Sequence, residues 1–409
     1  MTPSRPEPVE EEIVDGEEVA DWLPAIAAPR GWLPTITARG TVAALGDDDG
    51  EDEEPDPDAW LPPEAEEDVR AGIPDSTEQA YGGDMLRFAQ WCVTVGRRSM
   101  PAAPQTVTAY LSYLKRTPRE ETGLPYSPRS MDRVIASIRS SHRAAGFKPP
   151  DTMGARKVVR GYRAKLSKDL DPRAEPRKAS PVDREVLAEA LAALDRTTLV
   201  GKRDAALLLL GHALFSRGSE LVPLNWPKSF TRLPEGGLRV RVYRKKAKMW
   251  QKVKVPLDPD PDLCAVRAVR ALARALAKEL AGEGRTEYPL FQRIDRYGYL
   301  APPMTRHGKP IGDPTGRMTE DAASDLVERA IRRTGRAGKW TTHSLRRGGV
   351  KSARAAGADI VDIGRHGGWK DGSKALIGYI DEEDSQGARN PLAKIAEAAQ
   401  KQAERKGRQ

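Results

Sequence analysis

The chain has 409 residues, room for two or three domains, and no apolar run approaches the roughly 18 residues of a membrane span. Its two cysteines, Cys92 and Cys264, stand at no metal-ligand spacing and its five histidines form no HExxH pair, which argues against structural zinc or another bound metal and suits a reducing cytoplasm. The net charge of +8 conceals an asymmetry: residues 1–68 carry 21 acidic and 3 basic side chains (−18), and the rest carry 38 acidic and 64 basic (+26), the electrostatic footprint of a nucleic-acid binder.

Residues 1–72 are acidic, Pro-rich and poor in aliphatics, and read as a disordered tail. Trp-Leu-Pro recurs in it at Trp22, Trp32 and Trp60: a docking motif for a protein partner, a segment that folds back on the basic body, or a chance recurrence. Residues 73–170 read as a helical bundle. Ser76 or Thr77 caps a first helix whose inner face is Tyr81, Met85, Phe88, Ala89 and Cys92. Thr106–Leu114 and Ser127–Ala145 are the next two, the latter stopped by Gly146. A fourth, Ala155–Leu166, is heavily basic. Its Arg156, Lys157, Arg160 and Arg163, with Arg139 before them, are candidate DNA contacts, although a solvated basic face is the plain alternative for each.

Residues 171–179 read as a linker, and 180–400 as one mixed domain. Ser180 with Pro181 and Asp183 predicts a helix start with serine as cap. Arg203–Phe215 is a buried helix. Leu238–Tyr243 and Lys252–Leu257 alternate like the strands of a hairpin, with Lys245, Lys246 and Lys248 between them, Lys245 and Lys248 being further candidate DNA contacts. Ala265–Ala281 and Thr319–Thr334 are helices, the stretch after Pro391 is a short amphipathic helix, and 401–409 is a flexible basic tail.

The stretch from His343 to Tyr379 carries the densest chemistry. His343 and Arg346 are spaced i, i+3, on one face of a helix that stops at Gly357. An apolar-periodic segment at Ile360, Val361 and Ile363 follows, then a Gly-Gly-Trp turn at Gly367–Trp369, then Tyr379. Alone, Tyr379 reads as core, Trp369 as packing, and Arg217, in the sequence FSRGSEL after the buried helix, as a helix C-terminal partner.

Taken together and in order, Arg217, Lys246, His343, Arg346, Trp369 and Tyr379, with Glu220 three residues after the first arginine, resemble the tyrosine recombinases, or phage integrase family, and most closely the Cre branch. The resemblance covers about residues 73–400. It implies a mainly α fold with a small β-hairpin sheet (α+β), in which a SAM-like core-binding domain precedes a catalytic domain of the DNA-breaking-rejoining fold. It also implies a cytoplasmic, nucleoid-associated enzyme that cuts and rejoins double-stranded DNA at inverted-repeat half-sites through a 3′-phosphotyrosyl intermediate and a Holliday junction. Such an enzyme works as a homotetramer docked through the C-terminal helix, with no cofactor, metal or membrane. Tyr379 is then the nucleophile, Arg217 and Arg346 clamp the phosphate, and His343 assists proton transfer. Trp369 donates its indole N–H and Glu220 orients the cations. The general acid is a hairpin lysine: counting from Val240 and Val242 gives Lys246, and counting back from Val255 gives Lys248, which shares its face if both lie in a strand. The chemistry agrees, since charge developing on phosphoryl oxygens is best met by the planar, always-charged guanidinium fork. A type IB topoisomerase or telomere resolvase would share this chemistry. A non-catalytic DNA-binding relative would have lost some of the six positions.

Overall fold

The computed structural model describes residues 75–175, 178–306, 309–373 and 375–379, with isolated positions 64, 65, 68 and 72. Apart from those isolated positions, the acidic tail with its three Trp-Leu-Pro repeats, the helix expected after Pro391 and the final basic segment lie outside the described residues. Two compact units divide the chain, one up to Arg177 and one from Lys178.

The first unit packs four helices, α1 (Asp75–Thr94), α2 (Pro104–Leu114), α3 (Pro128–Ala144) and α4 (Met153–Lys168). Phe88, Cys92, Val107, Leu111, Met131, Ile135, Ile138 and Val159 fill its core. α3 starts where its sequence dictates: Ser127 Oγ accepts from Ser130 N at 3.2 Å, Pro128 takes the first turn, and Gly146 ends it at φ +75°. α1 begins at Asp75, so Ser76 and Thr77 lie inside its first turn and not at its cap. Asp84, buried in α1, is held by Arg133 of α3 at 3.0 Å and by Arg87 at 2.9 Å. His142 is a satisfied core histidine, accepting from Ala102 N at Nε2 and facing Ile138 O at Nδ1; burial lowers its pKa and keeps it neutral.

The second unit is α+β, as expected. α5 (Arg184–Ala192), α6 (Leu199–Ala213) and the one-turn α7 (Gly218–Leu221) lead into β1 (Asn225–Trp226), β2 (Phe230–Arg232), β3 (Leu238–Arg244) and β4 (Met249–Val255). α8 (Ala265–Glu279), β5 (Tyr288–Pro289), β6 (Met304–Arg306), β7 (Lys309–Ile311), α9 (Glu320–Arg332), α10 (Thr342–Ala355) and α11 (Ile360–Gly367) follow. β2, β3 and β4 form an antiparallel sheet in sequence order, β1 pairs with β5, and β6 with β7. α6 is the central helix, and its stretch Ala205–Leu210 is apolar and buried on every side. Period-2 alternation turns Leu238, Val240, Val242, Val253 and Val255 onto the core.

Three boundaries of this unit differ from expectation, the first being α6, which starts at Leu199, four residues before the expected Arg203. Asp183, not Ser180, caps α5, its Oδ1 accepting from Val186 N at 3.2 Å. Residues 180–182 instead run alongside the entry to α10, where Ser180 N donates to Lys339 O at 2.9 Å and Val182 N to Ser344 O at 3.0 Å, so tertiary partners displace the cap by three residues. β4 begins at Met249, three residues early, because Arg244 pairs with Met249 and closes the hairpin over 245–248.

Candidate active site

The site grows from the end of α6. Phe215 turns the chain at φ +48°, and Arg217 then stands immediately before α7. The Arg217 backbone N–H donates to Glu220 Oε2 at 3.2 Å and its guanidinium to Oε1 at 2.6 Å. Glu220 is 2 % exposed. Burial raises its pKa, but Arg244 and Arg217 outweigh burial and hold the carboxyl below its usual value, so it stays ionised.

α10 supplies the second pair. Thr341 Oγ1 accepts from His343 N and Ser344 Oγ accepts from Thr341 N, a capping box that fixes the helix start and with it the face shared by His343 and Arg346. Arg346 is fully buried. Its Nη1 donates to Phe215 O and, at 3.0 Å, to Gly367 O, and lies 3.9 Å from Glu220. Among the described residues, its Nε and Nη2 have no hydrogen-bond partner. Burial first, and then Arg217, push its pKa down to about 9, which leaves it charged at neutral pH.

The Gly-Gly-Trp turn closes the site from the other side. Gly368 ends α11 at φ +71°, and a β-carbon there would lie 2.9 Å from Arg244 Nε; one on Gly367 would fall 1.8 Å from the Trp369 ring. Gly367 is therefore needed for Trp369 to fold back over Arg346, whose Cζ lies 3.4 Å from the indole centroid, and Gly368 leaves room for Arg244. Tyr379, in a helical turn at 375–379, meets Trp369 edge to face at 5.7 Å, and its hydroxyl lies 2.5 Å from His343 Nε2. Burial, and then Arg346, Arg217 and Arg347, lower the His343 pKa to about 4, so the imidazole is neutral at physiological pH.

The structure thus brings together Arg217, Glu220, His343, Arg346, Trp369 and Tyr379. The lysines stand apart. Lys245, Lys246 and Lys248 are exposed in the four-residue turn, Lys245 pairs with Glu320 at 3.6 Å, and Lys248 has φ +52°. Lys246 and Lys248 are turn residues, so the strand rule that would have aligned them on one side does not apply. Among the bundle cations, Arg139 and Arg156 both donate to Thr152 Oγ1 at 3.3 Å and Arg163 pairs with Asp132 at 2.6 Å, while Lys157 and Arg160 are exposed.

One residue at the site escaped sequence reasoning. Arg244, at the end of β3, is 1 % exposed and donates from all three nitrogens: Nε to Gln251 at 2.7 Å, Nη1 to Glu220 at 2.9 Å and Ser216 at 3.2 Å, Nη2 to Leu214 O at 3.1 Å and His366 O at 2.8 Å. Its signal was present in LRVRVYR, where an arginine occupies the inward register of Leu238, Val240 and Val242.

No protein-family model matches the chain. It is 26% identical over 314 residues to an integrase/recombinase XerD homolog of Selenomonas ruminantium, covering 75% of this chain and 82% of that protein. It is 23% identical over 305 residues to the recombinase Cre of Escherichia phage P1, covering 73% and 82%. Among solved structures, it matches a lambda integrase (75–356) dimer bound to a COC′ core site with a TM-score of 0.46 at 13% identity, covering 78% of this chain and 94% of that one. By these sequence relatives, the chain is similar to the tyrosine recombinase, or phage integrase, family of site-specific recombinases.

Proposed function

We propose that Tyr379 is the nucleophile of a DNA strand transferase and that His343, Arg217 and Arg346 act on the phosphate it attacks. The observation that carries this reading is the 2.5 Å contact between the Tyr379 hydroxyl and a neutral His343, set beside two arginines anchored on one carboxylate. Tyr379 Oη–H donates to His343 Nε2. As Oη attacks phosphorus, its proton passes to the imidazole, the O–P bond forms and the bond to the 5′-oxygen breaks. One phosphodiester replaces another, so the energy for rejoining is conserved and the intermediate is a 3′-phosphotyrosyl ester. The 5′-oxygen takes its proton from a hairpin lysine, Lys246 or Lys248.

Arg217 meets the phosphoryl oxygens with its free guanidinium edge. Arg346 is fully buried beneath Trp369, so a phosphate reaches it only once the indole has moved aside, its N–H then being available to the same oxygens. Glu220 sets the spacing of the cations. The chain's own residues complete this sequence of proton transfers without a metal or nucleotide. By analogy with the family, four protomers exchange strands pairwise through a Holliday junction at inverted-repeat sites in duplex DNA, joined by the helix expected after Pro391, and the protein acts in the cytoplasm on the nucleoid.

The test is covalent trapping without metal, on DNA nicked near candidate cleavage points from the flanks of the coding region. A protease-sensitive, 3′-linked adduct with the wild type and none with Tyr379→Phe is the expected result. Tight binding to several such sites with no adduct from the wild type would leave a DNA-binding protein on a recombinase scaffold.

A further inference from the structure

The outward face of the β3–β4 hairpin sets cation against cation. Alternation turns Arg239, Arg241 and Tyr243 of β3 and Trp250, Lys252 and Lys254 of β4 away from the core. The register pairs Arg239 with Lys254, Arg241 with Lys252, and Tyr243 with Trp250. Like charges directly opposite each other destabilise an antiparallel pair. Here that arrangement occurs twice in succession, and none of the four cations has a carboxylate partner among the described residues. Nearest the turn, Tyr243 and Trp250 are 40% and 56% exposed with ring centroids 5.3 Å apart, and Arg241 stacks on the indole at 4.3 Å.

A merely solvated face mixes signs, because mixed signs stabilise it. This one is basic and aromatic throughout, on a strand pair whose other face packs on the core and carries Arg244 near the turn. The two cation pairs are two residues apart along the strand, about 6.6–6.8 Å.

We infer that this face is a DNA-backbone contact, with the two cation pairs running along successive phosphates away from the hairpin turn and Trp250 and Tyr243 packing on sugar edges. The inference rests on the DNA reading above and adds to it the outward face of the strands that carry the hairpin lysines. Its occupant is duplex DNA, not the acidic segment 51–68 of this chain.

A structural role and a DNA role predict opposite signs for one variant. The full chain carrying Tyr379→Phe is titrated with a mixed-sequence duplex over a range of salt, with and without Arg239→Gln/Lys254→Gln. The slope of log affinity against log salt should fall by about 2, close to 0.9 for each phosphate that the variant no longer neutralises. The melting temperature should rise by about 1–3 °C as like-charge repulsion is relieved. A lowered melting temperature with an unchanged slope would make the face structural and sink the inference. So would an unchanged slope accompanied by loss of binding to a synthetic 51–68 peptide, which would make the acidic segment its occupant. If the parent protein itself shows no salt-dependent DNA binding, the DNA reading falls and takes this inference with it; a steep parental slope unaltered by the double substitution defeats this inference alone.

Discussion

Arg244→Leu separates two things that this arginine does. The substitution removes five hydrogen bonds at once and leaves the buried Glu220 carboxylate with Arg217 as its close partner, 2.6 Å away. Breaking a buried ion pair from one side costs about 3–5 kcal/mol, and the retained Arg217 pairing points to the lower end, about 3 kcal/mol. Against a typical domain stability of roughly 5–15 kcal/mol the variant should still fold. In urea, the transition of the second unit should shift down by about 1 M for a slope of about 3 kcal/mol/M. The two units can unfold separately, so Phe88→Ala, in the core of the first unit, identifies the other transition. Combining Arg244→Leu with Glu220→Gln should show coupling of roughly 1.5–3 kcal/mol; additivity within about 0.5 kcal/mol would refute the view that this pair organises the site. Arg244 also lies two residues before Lys246 and ties the hairpin base to the carbonyl of His366. If it positions the general acid, DNA cleavage should slow markedly. A 5′-bridging sulfur in the substrate should restore the rate, because a thiol leaving group with a pKa of about 8.5 departs without a proton. A slow rate that sulfur does not restore would show that Arg244 acts on the phosphate clamp instead of the lysine.

Other substitutions test the remaining parts. Gly367→Ala drives a methyl into the Trp369 ring and should cost about 1–3 kcal/mol while lowering adduct yield, as read by urea unfolding and trapping. Trp369→Phe keeps a ring over Arg346 and should cleave within about tenfold of wild type, whereas Trp369→Ala should lose on the order of 10²-fold, measured as single-turnover cleavage. His343 must be neutral to take the tyrosine proton, and burial among arginines has lowered its pKa to about 4, so cleavage should stay flat from pH 7.5 to well below 6.5. Stability follows the same sign. His343 and the buried His212, also lowered to about 4, bind protons more readily when unfolded, so their contribution is complete above pH 6.5 and is lost as pH falls toward 4, visible as a falling urea midpoint.

The sequence was most legible where local chemistry and tertiary need agree. Ser127-Pro128 opens α3, Gly357 follows α10 and Thr319 caps α9, each within a residue of expectation, because a cap or a stop is decided by a few neighbouring atoms. Ser180-Pro181 offers the same local signal and fails, because the N–H groups of Ser180 and Val182 find partners on Lys339 and Ser344, some 160 residues away. The lysines could not be resolved for a related reason. Strand alternation was the wrong rule for residues that the hairpin places in its turn. Arg244 was missed although its inward register was readable, since a charged side chain among core positions is sensible only once Glu220 stands opposite it, and nothing in the spacing of two such distant residues says that they meet.

The balance of charge at Glu220 is the one that the proposed phosphate site requires. One buried carboxylate stands within 4 Å of three guanidiniums, those of Arg217, Arg244 and Arg346. A purely structural network would match charge for charge, because an uncompensated buried ion costs several kcal/mol. Arg244 spends all its donors on protein acceptors and serves as the strut of the group. Arg346 does not: two of its nitrogens have no acceptor among the described residues, and the indole over its Cζ supplies a face of negative quadrupole in place of an anion. The excess positive charge is thus held at the position where, on the proposed reading, the phosphoryl oxygens gain negative charge. An indole is a weaker partner for a guanidinium than a phosphate, so the stack can stabilise the free enzyme and still yield to DNA.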